Sequence, residues 1–167
     1  QPAAQSAQRT LPRHQARPDG ASTLVRYYLD AEFNGFGGPL IALALVPEDG
    51  GTPFYAALEC PEPTPWVAVH VLPVLNIEPV SREELSRSFA SYLADDPDPV
   101  VIADWPEDIA HAAMALIARP GFRHPIARIA FELCDTPGFD TARASAVPHN
   151  ALEDAMALRD FMLKQRG

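Results

Sequence analysis

From Leu24 onward the apolar positions are dense enough for buried strands. Leu24 to Phe33 alternates around aromatic and aliphatic side chains, a pattern that predicts a strand. Asn34-Gly35-Phe36-Gly37-Gly38-Pro39 is a turn cluster. Leu40 to Val46 is nearly all apolar, as expected of a central strand. Glu48-Asp49-Gly50-Gly51 then turns the chain into a third strand, Pro53 to Glu59. Three strands joined by tight turns make a meander. The run Pro61-Glu62-Pro63-Thr64-Pro65 stops regular structure, because each proline fixes φ and removes a backbone donor.

The pattern then changes to alternating helix and strand. Trp66 to Leu72 predicts a short helix. Ser81-Arg82-Glu83-Glu84 has the form of a capping box, and Leu85, Phe89, Tyr92 and Leu93 follow at helical spacing. Asp98-Pro99 leads into a short buried strand, Val100 to Ala103. Asp104 to Arg119 predicts a helix with Ile109, Ala113, Leu116 and Ile117 inward, ended by Pro120-Gly121. Ile126 to Leu133 predicts a fifth strand, and Pro148 to Gln165 a final helix. The order βββ then αβαβα implies an α/β fold: a mixed five-stranded sheet flanked by helices.

Length and composition suit one domain, with 167 residues of which 47% are hydrophobic. Residues 1–22 contain arginines but no apolar region, and are expected to be a flexible leader or linker outside a domain of residues 23–167. No apolar run reaches the ~18 residues that a membrane span needs, so no membrane partner is expected. The formal net charge is −9. Arg9, Arg13 and Arg17 face only Asp19 in the leader, so the remainder is more acidic still. A protein that grips long duplexes presents a basic face to phosphates, which argues against that class. An enzyme that holds one strand terminus through metal ions needs no such face. Cys60 and Cys134 are too few for a disulfide framework, and reduced thiols in the cytoplasm are the expectation.

Carboxylates carry the candidate chemistry. Asp30 and Glu32 are two apart on a strand, so both leave the same face. An ordinary solvated strand end would look the same, but the glycine-rich turn that follows suits close approach of a ligand. Asp108 opens the predicted third helix, one turn beyond Asp104. Asp104 competes with it, although Asp104-Trp105-Pro106-Glu107 also has the form of a capping box. His149 and Asp154 are five apart, which on a helix separates them by about 140°. They converge if His149 precedes the first turn, with Asn150 as N-cap and Glu153 at the capping-box position. Several carboxylates in one place suit magnesium or manganese, and a histidine beside them is a natural proton acceptor for water. The constellation points to metal-dependent phosphodiester cleavage.

Taken in order, Asp30-x-Glu32, Asp108 and His149-x4-Asp154 resemble the three motifs of the DEDDh 3′–5′ exonucleases, which have a ribonuclease H-like fold. The opening Arg26-Tyr27-Tyr28-Leu29-Asp30-Ala31-Glu32-Phe33 and the segment from Trp66 to Leu75 resemble the mycobacterial-type 3′–5′ exoribonuclease family of that group. The resemblance spans residues 24–165. It implies two magnesium or manganese ions held by Asp30, Glu32, Asp108 and Asp154, with His149 as general base. Asp104 would be an alternate or outer ligand, and Phe33 would stack on the terminal base. The implied substrate is the 3′ end of single-stranded RNA and the product a nucleoside 5′-monophosphate. Relatives of this kind are often dimers, so a homodimer belongs to the family expectation.

Two departures bear on this. Many relatives have an asparagine-containing loop where this chain has Asp104-Trp105-Pro106-Glu107, which leaves Asp104 and Asp108 competing. The Thr-Thr-Gly that often follows the first motif in DNA-proofreading members is missing, which favours RNA. The rival readings are a 3′–5′ exonuclease on single-stranded DNA and a non-catalytic nucleic-acid-binding module of the same fold.

Overall fold

A computed structural model describes residues 25–167. The expected leader, and Leu24 at the start of the first predicted strand, lie outside the described residues. The meander is present as β1 (Arg26–Phe33), β2 (Leu40–Pro47) and β3 (Phe54–Ala57), each antiparallel to the next. The proline-rich break leads into α1 (Pro65–His70), and Ser81 caps α2 (Arg82–Leu93) by accepting from Glu84 N. Then follow β4 (Val100–Ala103), α3 (Pro106–Ala115) and a small hairpin of β5 (Ile117–Arg119) and β6 (Phe122–Arg123). The chain ends in β7 (Ala130–Leu133), α4 (Thr141–Ala144) and α5 (Ala151–Arg166).

The main sheet has five strands in the order β3-β2-β1-β4-β7. β1 runs antiparallel to β2 and parallel to β4, and β4 runs parallel to β7, so the sheet is mixed. Helices cover both faces, which is why every residue of β2 is buried. On one face Tyr27, Leu29 and Ala31 pack with Leu85, Phe89 and Leu93 of α2 and with Ala112 and Ala115 of α3. On the other, Ala44 and Val46 pack with Val67 of α1 and with Ala151 and Ala155 of α5, while Tyr28 and Ile102 meet Leu158. Side chains alternate along β1, so Asp30 and Glu32 share the face that α1 and α5 cover.

Several boundaries differ from expectation. α3 stops at Ala115 because Leu116 closes its last turn and Ile117 pairs with Arg123 in the hairpin. Its fully buried residues are Asp108, Ala112 and Ala115; Ile109 and Leu116 pack against the core as expected, while Ala113 is exposed and Ile117 is 40% exposed. Asp104 is not a helix cap: Trp105 holds that position with no side-chain bond, and Asp104 Oδ2 instead accepts from Thr136 Oγ1 at 3.3 Å. The fifth strand is short, since residues from Ala130 onward pair with β4. The final helix starts at Ala151, and Asn150 caps it as the sequence suggests, accepting from Leu152 N and Glu153 N. Among the described residues, no helix is long and apolar enough to cross a membrane.

Candidate functional site

β1 outruns its parallel neighbour. Arg26, Tyr27 and Tyr28 pair with Val100, Val101 and Ile102, and the rest of β1 continues past that contact. The step opens a crevice at the carboxyl ends of β1 and β4, beside the point where the chain changes sides of β1, a common place for ligands in open α/β sheets. Asp30 and Glu32 enter it from β1, and Asp104 enters from just past the end of β4. Asp108 reaches it from the first turn of α3, and His149 and Asp154 from the start of α5. These six residues line one cleft of 420 Å³. The pairings the sequence suggests are thus brought together, and both Asp104 and Asp108 take part.

The His149–Asp154 pair converges through the backbone. His149 has a φ of 69°, a left-handed conformation that non-glycine residues adopt infrequently. That turn aims its N–H at Asp154 Oδ2, 3.0 Å away. Asn150 holds the junction in place: its Nδ2 donates to the carbonyls of Val74 and Leu75 while its Oδ1 caps α5. Glu32, His149 and Asp154 consequently offer ligand atoms that all lie within 4.8 Å of one another. Asp30 and Asp108 stand outside that compact trio while lining the same cleft.

Electrostatically the cleft is one-sided. Its lining contains no lysine or arginine among the described residues. Burial, then the charges of Asp108, Glu32, Asp154 and Asp104, push the Asp30 carboxyl well above the usual range. Burial, then Asp154, raises Glu32 to about 8. Burial, then Asp104 and Glu32, raises Asp108 to about 8, with the Ala31 N–H pulling the other way. Asp154 rises less, to about 6, because the Ser145 hydroxyl and the His149 N–H offset part of its burial. Asp104 is raised by burial and partly relieved by Thr136. Burial, then His70, lowers His149, which keeps its imidazole neutral to lower pH.

Two carboxylate oxygens, Asp30 Oδ2 and Asp154 Oδ1, are buried without a hydrogen-bond partner. Such atoms carry a desolvation cost that a hard cation would remove. The donor set of carboxylates with one imidazole fits magnesium or manganese.

Aromatic side chains frame the cleft. Phe33 lies on its wall, yet the ring stacks on His111 at 5.2 Å and packs against the α2–α3 core. Phe36, at the tip of the β1–β2 turn, is 86% exposed and lies 6.1 Å from Trp105. Glu107 accepts from Gly37 N and ties that turn to the start of α3. Trp66 and His70 are both exposed, Trp66 by 52%. The Trp66 indole meets the His149 ring at 4.8 Å with an interplanar angle of 80°. A second cavity of 410 Å³ shares Glu32, Phe33 and Phe36 with the cleft and adds Trp66.

The sequence did not single out Phe36, Trp105 or Asn34. Periodicity marks residues that face a core, and these three sit in turns where it is silent. The glycine-rich composition around Phe36 was the one available signal. No family model matches the chain, and no curated protein matches it.

Proposed function

We propose that this chain is a metal-dependent 3′–5′ exoribonuclease with a ribonuclease H-like fold, working in the cytoplasm. The observation that carries the reading is the cleft itself, where five carboxylates and a histidine converge with no lysine or arginine among its described lining. Like charges buried together are costly unless protons or cations intervene. The mixed sheet, with its meander followed by alternating helix and strand, is the arrangement that the fold reading expects.

In this reading Asp30, Glu32, Asp108 and Asp154 hold two magnesium or manganese ions, with Asp104 behind them, steadied by Thr136. Bound there, the ions supply Lewis-acid chemistry, making water a better nucleophile and easing departure of the 3′ oxygen. The residues do the rest. His149, neutral at ordinary pH, accepts a proton from the attacking water. The exposed aromatics at the mouth offer stacking faces for an unpaired base, which favours a single-stranded end over a duplex. Phe36 is better placed for this than Phe33, whose ring already stacks on His111. An acidic protein that holds one terminus in this way releases nucleoside 5′-monophosphate and needs no basic track.

A second reading has its own observation. Glu32, His149 and Asp154 form a ligand set by themselves, within 4.8 Å, in which His149 would bind metal and not act as base. Metal affinity of His149→Ala separates the two. The test of the main proposal is a gel of end-labelled RNA and DNA oligonucleotides, each with magnesium, with manganese and with chelator. Metal-dependent shortening of RNA supports it. Shortening of DNA alone would move the substrate to DNA, and no shortening of either would leave a binding module.

A further inference from the structure

We infer that Trp66 is a positioning residue for His149, holding the imidazole toward Glu32 and Asp154. The inference rests on the reading of the cleft as catalytic and adds a residue to it. Trp66 is 52% exposed, so core packing does not account for its place. It is the second residue of a six-residue helix whose anchor is Val67, 1% exposed, with Thr64 capping the first turn by accepting from Val67 N at 3.3 Å.

The start of that helix is tied to the end of the carboxylate strand. Asn34, two residues past Glu32, accepts from Thr64 N at 2.8 Å and donates to the Glu62 carbonyl at 2.9 Å. One side-chain amide therefore ties the backbone just before Trp66 to the end of the strand that carries Glu32. The indole in turn contacts two imidazoles, that of His149 at 4.8 Å and that of His70 at 5.0 Å.

The His149 ring needs such a wall. Its backbone is set by the left-handed φ and by the N–H bond to Asp154, but neither restrains rotation about the side-chain bonds. No hydrogen bond from a described residue reaches its ring nitrogens, which leaves packing to set where the ring points, and the edge-to-face contact with Trp66 is the aromatic part of that packing. A general base misplaced by about 1 Å can lose two orders of magnitude in rate, so this restraint matters to turnover and not to binding. Asn34 acts one step further back, through Thr64 and Trp66.

Steady-state kinetics on an RNA oligonucleotide and ring-proton NMR test the inference together. Trp66→Ala should lower kcat by roughly 10- to 100-fold with KM unchanged, and Trp66→Phe should recover most of it. In a His149→Ala background the same change should cost nothing more. A rise in KM with kcat intact would overturn the inference by making Trp66 a substrate contact, as would an undiminished loss in the His149→Ala background. The NMR arm needs no activity. In the wild type, ring protons of His149 should show cross-relaxation with the indole and one fixed rotamer, which Trp66→Ala should replace by averaging. An equally fixed rotamer without the indole would end the inference even in a fully active enzyme. Failure to cut RNA, with the rotamer result as expected, would instead count against the exonuclease reading alone.

Discussion

The backbone N–H of His149 donates to Asp154 Oδ2 at 3.0 Å, so one side chain both faces the cleft and sets the turn that presents its neighbour. The two residues are five apart and could not share a helical stripe. They meet because His149 lies before the cap, with φ at 69°. Removing the imidazole leaves this bond in place, whereas removing the carboxylate breaks it.

That asymmetry gives the first prediction. His149→Ala should lower turnover by roughly 10²- to 10⁴-fold, with thermal stability and manganese affinity nearly unchanged. Asp154→Ala should abolish turnover and also weaken manganese binding. Calorimetric titration with manganese beside a steady-state assay reads both. A large loss of affinity in His149→Ala would make the imidazole a ligand.

Asn150 joins the start of α5 to the chain that follows α1, through two carbonyls and two N–H groups. Asn150→Ala should cost roughly 1–3 kcal/mol of stability from the lost cap and the carbonyls left behind. Denaturant unfolding would measure it. Because His149 and Asp154 flank this residue, turnover should fall even below the denaturation midpoint. A variant as active and stable as wild type would show that the junction holds itself.

The raised carboxyls predict an inverted pH response in the metal-free protein. Glu32 and Asp108 titrate at about 8 when folded, above the usual carboxyl value near 4 that applies when unfolded. The folded state therefore binds more protons than the unfolded state between those values, and stability falls as pH rises through the window. His149 and His111, both lowered, act in the opposite sense below about pH 6.5. With chelator present, Tm should rise as pH drops from 8.5 to 6.5. Saturating magnesium should flatten or reverse that slope, because cations replace the protons. A metal-free Tm that falls over this range would mean that the cluster does not govern stability.

Much of the architecture was legible because its signals were local and strong. β2 reads as a central strand from its unbroken apolar run, and Ser81 and Asn150 read as caps from side chain and position. Where α3 ends was not legible. Leu116 and Ile117 continue an apolar pattern, but Ile117 belongs to a hairpin whose pairing with Arg123 no helical period reveals. Of the roles open to Asp104, the cap that its spacing to Glu107 suggests is not the one it takes, and its partner, Thr136, is thirty-two residues away where no local pattern shows it. The six cleft residues were found from residue type and order, since acidic positions at strand and helix ends are visible in one dimension. The aromatic frame was not, because exposure of Phe36 and Trp66 depends on which loops meet.

Asp30 offers a test of the cluster without catalysis. Its Oδ2 is buried and unpartnered, and four other carboxylates press on it. Asp30→Asn should leave the metal-free Tm equal to or above wild type, since one repelling charge is gone. Magnesium should then raise Tm less than it does in wild type, by mass action on a weakened site. Equal gains in both proteins would locate the ion elsewhere.

The most direct measurement identifies the product. A single-stranded RNA labelled at its 5′ end, and a second labelled in its 3′-terminal nucleotide, should be incubated with the wild type and with Asp30→Asn, with magnesium or chelator, and resolved by chromatography. The exonuclease account predicts stepwise shortening of the first RNA and release of labelled nucleoside 5′-monophosphate from the second, in wild type with metal and in no other arm. Cleavage at internal positions, release from the 5′ end, or equal release with chelator would contradict it.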